Sequence, residues 1–379
     1  MEERNRIMMG ESIYNRIYNR VCSIINEQRD KKVMRRIVVI ESDDWGSIRV
    51  PSRKVYDTLM AEGYSMDKRP YERYDCLETD EDVKALSGVL LKYKDKKGKH
   101  PVITLNYLSA NPDFHKIKEK GYSDYIYEDV CNTYSRYPHS ANVIQLVKDG
   151  IEQGIFMPQC HGREHFNVCD WLNALRIGDK DVITAFNYGM CGIFPKETPA
   201  KGNQYMVALK SYDDESQKYV CDTVAQSLSL FRKIWGFASR TFIAPCYTWN
   251  DKIENILFDN GVELVQGARV RRSSSNSSKK YLYAGQKSHG LIYGVRICFF
   301  EPATTAEYST DNLMKEIGQA FKNNHIAVIS SHRINYVGGI DINNRIKNLE
   351  LLDEFLSTLL MKYPDVEFMS SDQLIDILK

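Results

Sequence analysis

The chain lacks any long apolar run near its start: residues Met1 to Met34 mix charges throughout, with no stretch long enough for a signal h-region or a membrane span. The expectation is a cytoplasmic protein without a transmembrane segment. Excess charge of one sign is also missing, because 51 Lys+Arg stand against 50 Asp+Glu. Such a chain has no long-range field to gather nucleic acid or an anionic membrane, so neither is expected as a partner. The nine cysteines are scattered without C-x-x-C spacing, and their number is odd. Reduced thiols, not a disulfide framework, are expected in a chain this large. No internal repeat occurs, and the only biased tract is Ser273 to Ser278, after the basic residues Arg269, Arg271 and Arg272. It reads as a surface loop. With no Pro/Gly-rich linker, one domain over residues 35–379 is expected, preceded by a helical lead-in over 1–34.

What the chain does contain is 43% apolar residues over 379 positions, enough for a large core. Short runs rich in Val and Ile recur at Ile37–Ile40, Val102–Leu105, Ile155–Met157, Thr241–Ala244, Val262–Val265, Ile292–Phe300, Ile326–Ile329 and Val366–Phe368. These read as buried strands. Between many of them, at Ala141–Gly150, Gln217–Trp235, Leu313–Asn323 and Leu349–Tyr363, apolar residues return every three or four positions, as in helices. Alternating strands and helices predict an α/β fold with a mainly parallel sheet, and about eight strands fit a barrel better than an open sheet.

Three strand ends carry chemistry-bearing residues, where such a barrel builds its site. The first is Glu41-Ser42-Asp43-Asp44-Trp45-Gly46. Two adjacent carboxylates share a small space only with a cation or a shared proton, which suits one as a metal ligand and the other as a base. Asp-Asp-x-Gly is equally the composition of a capped turn. The second is His161-Gly162-Arg163-Glu164-His165. Histidines four apart share a face if the segment turns helically, so both imidazoles reach one ion. The metalloprotease pattern H-E-x-x-H is not met. The third is Ser330-Ser331-His332-Arg333, where His332 has the pKa range to protonate a leaving group. Alone it reads as well as a core histidine; the three clusters in this order are hard to assemble by accident.

In order and spacing these segments resemble the polysaccharide deacetylases of the NodB type, carbohydrate esterases of family 4 that remove acetyl groups from N-acetylated sugars. The Thr-Phe-Asp-Asp-Gly motif of that family aligns with Glu41-Ser42-Asp43-Asp44-Trp45, the His-Ser/Thr-x-x-His motif with His161 and His165, and the final Leu-x-His with Ile329-Ser330-Ser331-His332. The resemblance covers the chain from about Arg36 to its end and implies a distorted (β/α) barrel of seven to eight strands. It implies Asp44, His161 and His165 as metal ligands, Asp43 as general base, His332 as general acid and the backbone N–H of Cys246 as oxyanion donor. Cys246 as a nucleophile would need a nearby base. The Arg-x-Pro-Tyr motif is where the chain departs, since Ile243-Ala244-Pro245-Cys246-Tyr247 puts Ile243 at the arginine position. Arg240, Arg163 or Arg269 are the candidates to supply that charge. The aspartate and tryptophan of the family's fourth motif are not evident near Val262 to Val270.

The implied cofactor is a divalent metal, zinc first, with cobalt, nickel, iron or manganese also suited to an Asp-His-His set. The implied partner is an acetylated sugar or glycan precursor. Trp45, Asn106, Asn111, Tyr107, Tyr247 and Trp249 are candidates to hydrogen-bond or stack on a sugar ring, and each is also a candidate for packing. Two other readings stay open: a metal-dependent hydrolase of another non-peptide C–N bond, and a carbohydrate-binding relative that has lost catalysis.

Overall fold

In the computed structural model, which describes residues 20–197, 204–275 and 278–379, strand β1 (Ile37–Trp45) is buried along all nine residues. A strand hidden on both faces explains its unbroken apolar opening, Ile37-Val38-Val39-Ile40. The strands that follow in the same sheet are β2 (Ile103–Tyr107), β3 (Phe156–Cys160), β4 (Thr241–Ile243), β5 (Leu264–Gln266), β6 (Lys287–Ser288), β7 (Leu291–Tyr293), β8 (Cys298–Phe299), β9 (Ala327–His332) and β10 (Glu367–Phe368). Their order across the sheet is β6-β7-β5-β4-β3-β2-β1-β9-β8, with β10 on the first residues of β1. All pairings are parallel except β6 with β7.

The ladders do not close into a complete barrel, but the two ends of the sheet meet in one segment. At its start, Ile292 and Tyr293 pair with β5, and the amides of Gly294 and Arg296 reach Val265 and Gly267. Beyond that point the Ile297 amide reaches Val328, and Cys298 and Phe299 pair with β9. The apolar run Ile292–Phe300 is therefore two short strands with a crossing between them, and Arg296 stands at the crossing.

All eight expected strand runs fall on strands of this sheet, and the four expected helices correspond to Val143–Glu152, Asp214–Trp235, Thr310–Lys322 and Ile342–Lys362. The helix Asp214–Trp235 shows why such segments form. A capping box joins Asp213 and Ser216 at its start, and Gly236 ends it in the left-handed conformation at φ 84°. Its buried stripe Val220, Val224, Leu228, Phe231 and Trp235 packs into the core that runs from Val38 to Phe368. Burying each such side chain contributes about 1.5–3 kcal/mol.

Two features were not expected from the sequence. Small antiparallel pairs form between Ala110–Pro112 and Tyr127–Asp129 and between Val270–Arg272 and Lys279–Tyr281, both too short for a periodic signal. Within the lead-in, residues 20–29 are helical, and residues 1–19 lie outside the described residues, as do 276 and 277 of the Ser/Asn run. Among the described residues no helix is long and apolar enough to cross a membrane.

Candidate metal centre

Asp43 and Asp44 are consecutive, so in a regular strand their side chains would leave opposite faces. Here β1 changes register against β2 between Ser42 and Trp45, and Asp44 takes φ 74°. That irregularity brings both carboxylates to the same end of the sheet. Gly46 follows at φ 81°, where an added Cβ would lie 2.8 Å from the Leu108 carbonyl oxygen. The glycine of the Asp-Asp-x-Gly sequence is thus required by the backbone.

His161 and His165 are brought together by a loop, not by the helical turn that their spacing suggested: the segment after β3 is irregular and Gly162 has φ 110°. Arg163, between them, holds this loop through Glu164 at 2.6 Å and lies over the Tyr127 ring at 4.6 Å. The result is a three-sided nest. Asp44 Oδ1 lies 3.5 Å from His161 Nε2 and 3.3 Å from His165 Nε2. Metal bonds of about 2.0–2.1 Å in a tetrahedral site place ligand atoms about 3.3–3.4 Å apart. Asp44 Oδ1 and His161 Nε2 are buried and have no hydrogen-bond partner within the protein. Leaving two such atoms unmade is costly, and a cation at their focus would satisfy both.

The tautomers agree with that use. His161 Nδ1 donates to the Ile243 carbonyl at 2.9 Å, leaving Nε2 with its lone pair. Burial pushes the His165 imidazole down to about 3, so it is neutral, and Asp44 is held well below the usual carboxylate range, against burial, by His165, His161 and Arg49. Two imidazole nitrogens and one carboxylate oxygen are a donor set that fits a divalent ion.

Beside the nest stand a second carboxylate, Asp43, and a third imidazole, His332. The parallel register of β1 and β9 pairs Asp43 with His332, and His332 Nε2 lies 3.9 Å from Asp43 Oδ2. Arg296 grips Asp43 with both terminal nitrogens at 2.7 Å and Glu41, two residues earlier on the same face, at 2.6 Å. Burial raises the Asp43 carboxyl, but Arg296 outweighs it and leaves it at about 2. Burial lowers His332, but Glu301, 2.6 Å from its Nδ1, raises it to about 9.

Arg296 is the arginine that Ile243 lacks, supplied from another strand. The three candidates considered for it are elsewhere: Arg163 is spent on Glu164, Arg240 on Glu263 and Arg269 on Asp30. A lone charge inside the apolar run Ile292–Phe300 was the signal. Ile243 contributes only its carbonyl.

The remaining candidates divide. Cys246 and Tyr247 follow β4 with φ 55° and 52°, and the Tyr247 hydroxyl reaches Arg296 at 3.3 Å. Cys246 is exposed, with its thiol pushed up to about 11 by burial of the sulfur environment and by Asp44, which does not suit a nucleophile. Asn106 is fully buried and donates to Asp43 Oδ1 at 2.8 Å, so it braces that carboxylate and cannot touch a sugar. Trp45 is fully buried, donates to Ser42 and stacks on Tyr336, so it is a floor and not a groove wall. Tyr107 and Trp249 are buried in the core, and Asn111 ties the loop at Gly46 and Ile48. Glu301 and Arg296 were missed in the sequence. A second carboxylate–histidine group, Asp251, Glu254 and His289, is already engaged, because Arg271, Trp249 and Tyr293 all donate to Glu254 Oε1.

No family profile and no curated protein match the chain. Solved structures do align with it along most of its length. A candidate polysaccharide deacetylase from Mycobacterium smegmatis is 10% identical, covers 92% of this chain and 91% of its own, and has a TM-score of 0.42. The family 4 carbohydrate esterase from Streptomyces lividans, in complex with acetate, is 10% identical over 91% and 95% with a TM-score of 0.37. The 4-alpha-glucanotransferase from Thermococcus litoralis is 8% identical over 90% and 40% with a TM-score of 0.42. These are what the chain is similar to in fold, and the assignment of its site rests on its own residues.

Proposed function

We propose that the protein is a metal-dependent hydrolase that removes an acetyl group from an N-acetylated sugar or glycan precursor, with Asp44, His161 and His165 as ligands. The observation that carries this reading is the convergence of three donor atoms within 4.8 Å of one another, two of them buried and unpartnered, beside a buried carboxylate and a histidine. A divalent ion there, zinc first and cobalt, nickel, iron or manganese as alternatives, would polarise the acyl oxygen and lower the pKa of a water.

The chain's own groups supply the rest. Asp43, oriented by Arg296 and Asn106, accepts the proton of the attacking water. The backbone N–H of Cys246 donates to the developing oxyanion, which any side chain at that position would permit. His332 gives its Nε2 proton to the departing nitrogen, and Glu301 on Nδ1 keeps the ring charged beforehand. A carbohydrate-binding relative without catalysis would have no need to hold Asp43 in a buried ion pair and His332 against Glu301.

Acetate release from N-acetylglucosamine oligomers tests the reading. We expect release that stops on chelation, returns with zinc or cobalt, and falls by about 10²–10⁴ in Asp43→Asn with metal content retained. Bound metal without acetate release from any acetylated glycan would overturn the deacetylase reading and leave the metal centre standing.

A further inference from the structure

Arg49 lies on the loop after β1, and its side chain is 16% exposed. A guanidinium this enclosed normally holds short, paired hydrogen bonds. Arg49 does not. It lies 3.5 Å from Asp44 Oδ2 and 3.4 Å from Asp75 Oδ2, its Nη1 meets only the Met206 sulfur at 3.3 Å, and its Nε has no hydrogen-bond partner. Asp75 is already shared, because Arg333 takes both of its oxygens at 2.9 and 3.0 Å. Asp44 is no better placed, since its charge is called on by the ion of the proposed centre.

The wall of Arg49 borders a cavity of about 30 Å³ that also touches Tyr71, Glu72, Ala110, His165, Phe166 and Met190. One water needs about 10–15 Å³ on that scale, so the space suits a group of about two heavy atoms, such as the oxygens of a carboxylate. Eleven buried side-chain nitrogen or oxygen atoms among the described residues lack a partner; besides the two at the metal nest, three belong to residues of this cavity wall, Arg49 Nε, Glu72 Oε2 and His165 Nδ1. If His165 gives Nε2 to the ion, its Nδ1 carries a proton and becomes a donor.

Resting on the metal-hydrolase reading, we infer that the substrate carries a carboxylate about six bonds from the scissile acyl group, and that Arg49 receives it in the cavity beside His165. Burial pushes the Glu72 carboxyl up to about 7, so below that pH it can donate to such a group instead of repelling it. The small volume favours a carboxylate over the bulkier phosphate. Asp44 positioning by Arg49 alone is the competing account, and it predicts no dependence on substrate charge.

The test compares 2-acetamido-2-deoxyglucuronic acid with its methyl ester, which differ in that one charge. In wild type we expect kcat/KM for the acid to exceed that for the ester by roughly ten- to a hundredfold, the span of a charge-assisted contact. The ratio should collapse to about one in Arg49→Gln and be partly kept in Arg49→Lys. Calorimetric affinities on the zinc-loaded Asp43→Asn protein give the same ratio without turnover. A wild-type ratio of one in both measurements, or a ratio unchanged in Arg49→Gln, overturns the inference. If neither compound is hydrolysed but the acid binds more tightly through Arg49, the anion site stands and the hydrolase reading fails.

Discussion

The two sides of the pocket are built in opposite ways. On the side of the Asp-His-His nest, Asp44 Oδ1 and His161 Nε2 are buried and unpartnered; on the other side, Asp43 takes three hydrogen bonds from Arg296 and Asn106, and His332 is held by Glu301. A folded chain rarely leaves polar atoms unmade in its interior, so the first side is shaped for something that is not protein. The second is already partnered, because each of its ionisable groups has an opposite charge beside it. The difference separates residues that wait for a ligand from residues that are held ready to act on one.

Removing a ligand should produce the largest effect and abolish that contrast. For Asp44→Ala or His161→Ala we expect metal content to fall to background and acetate release to be lost by several orders of magnitude. Zinc at about 100 times its dissociation constant stabilises the wild type by about 2.7 kcal/mol, and this increment should vanish in both variants. Thermal unfolding with and without zinc, with elemental analysis, measures it. Retained metal in both would mean that the nest is not the binding site.

Next in size is Arg296→Met, which attacks the satisfied side. Asp43 would be left buried without its counter-ion, and breaking such a buried pair costs about 3–5 kcal/mol. Arg296→Lys keeps a charge but loses the two-pronged grip, so it should fall between. Urea unfolding resolves these cases. A loss under 1 kcal/mol in Arg296→Met would show that Arg296 is not the brace of the base.

Why the sequence discloses one side more readily than the other follows from distance along the chain. Asp43 and Asp44 are adjacent at the end of an obvious strand, and His161 and His165 are four apart, so local spacing marks them. The reason for the histidine pairing was nevertheless not local, because a loop turning at Gly162, braced by Arg163, replaces the expected helical turn. Arg296 meets Asp43 across 253 residues and Glu301 meets His332 across 31. Neither contact has a spacing to betray it, although a lone arginine in an apolar run was visible. Trp45 shows the converse: beside two site carboxylates it looks like a substrate platform, and only the register change in β1 reveals that it points into the core.

A subtler change is expected in Glu301→Gln, read as a pH profile. Glu301 raises His332 to about 9, above its unfolded value near 6.5. A raised histidine lends stability that is full below the unfolded pKa and is lost as pH rises through about 9. In activity, the charged donor form should persist to about 9 in wild type. Without Glu301 the basic limb of kcat/KM should move down by about 1–3 units. A limb that stays in place would remove Glu301 from the acid.

The smallest effect is expected where sequence reasoning had offered a substitute for the family arginine. Arg240 sits at the edge of β4, 41% exposed, paired with the half-exposed Glu263 at 2.8 Å. Exposed pairs of this kind contribute about 0–1 kcal/mol, and nothing links Arg240 to Asp43. Arg240→Gln should therefore change unfolding by less than about 1 kcal/mol and acetate release by less than about twofold. The comparison with Arg296→Met matters more than either value. Both remove one arginine charge from the strands around the site, yet only Arg296 touches the base. If Arg240→Gln lowered the rate as far as Arg296→Met, charge in the neighbourhood and not the two-pronged contact would orient Asp43, and the division between the two sides of the pocket would lose its basis.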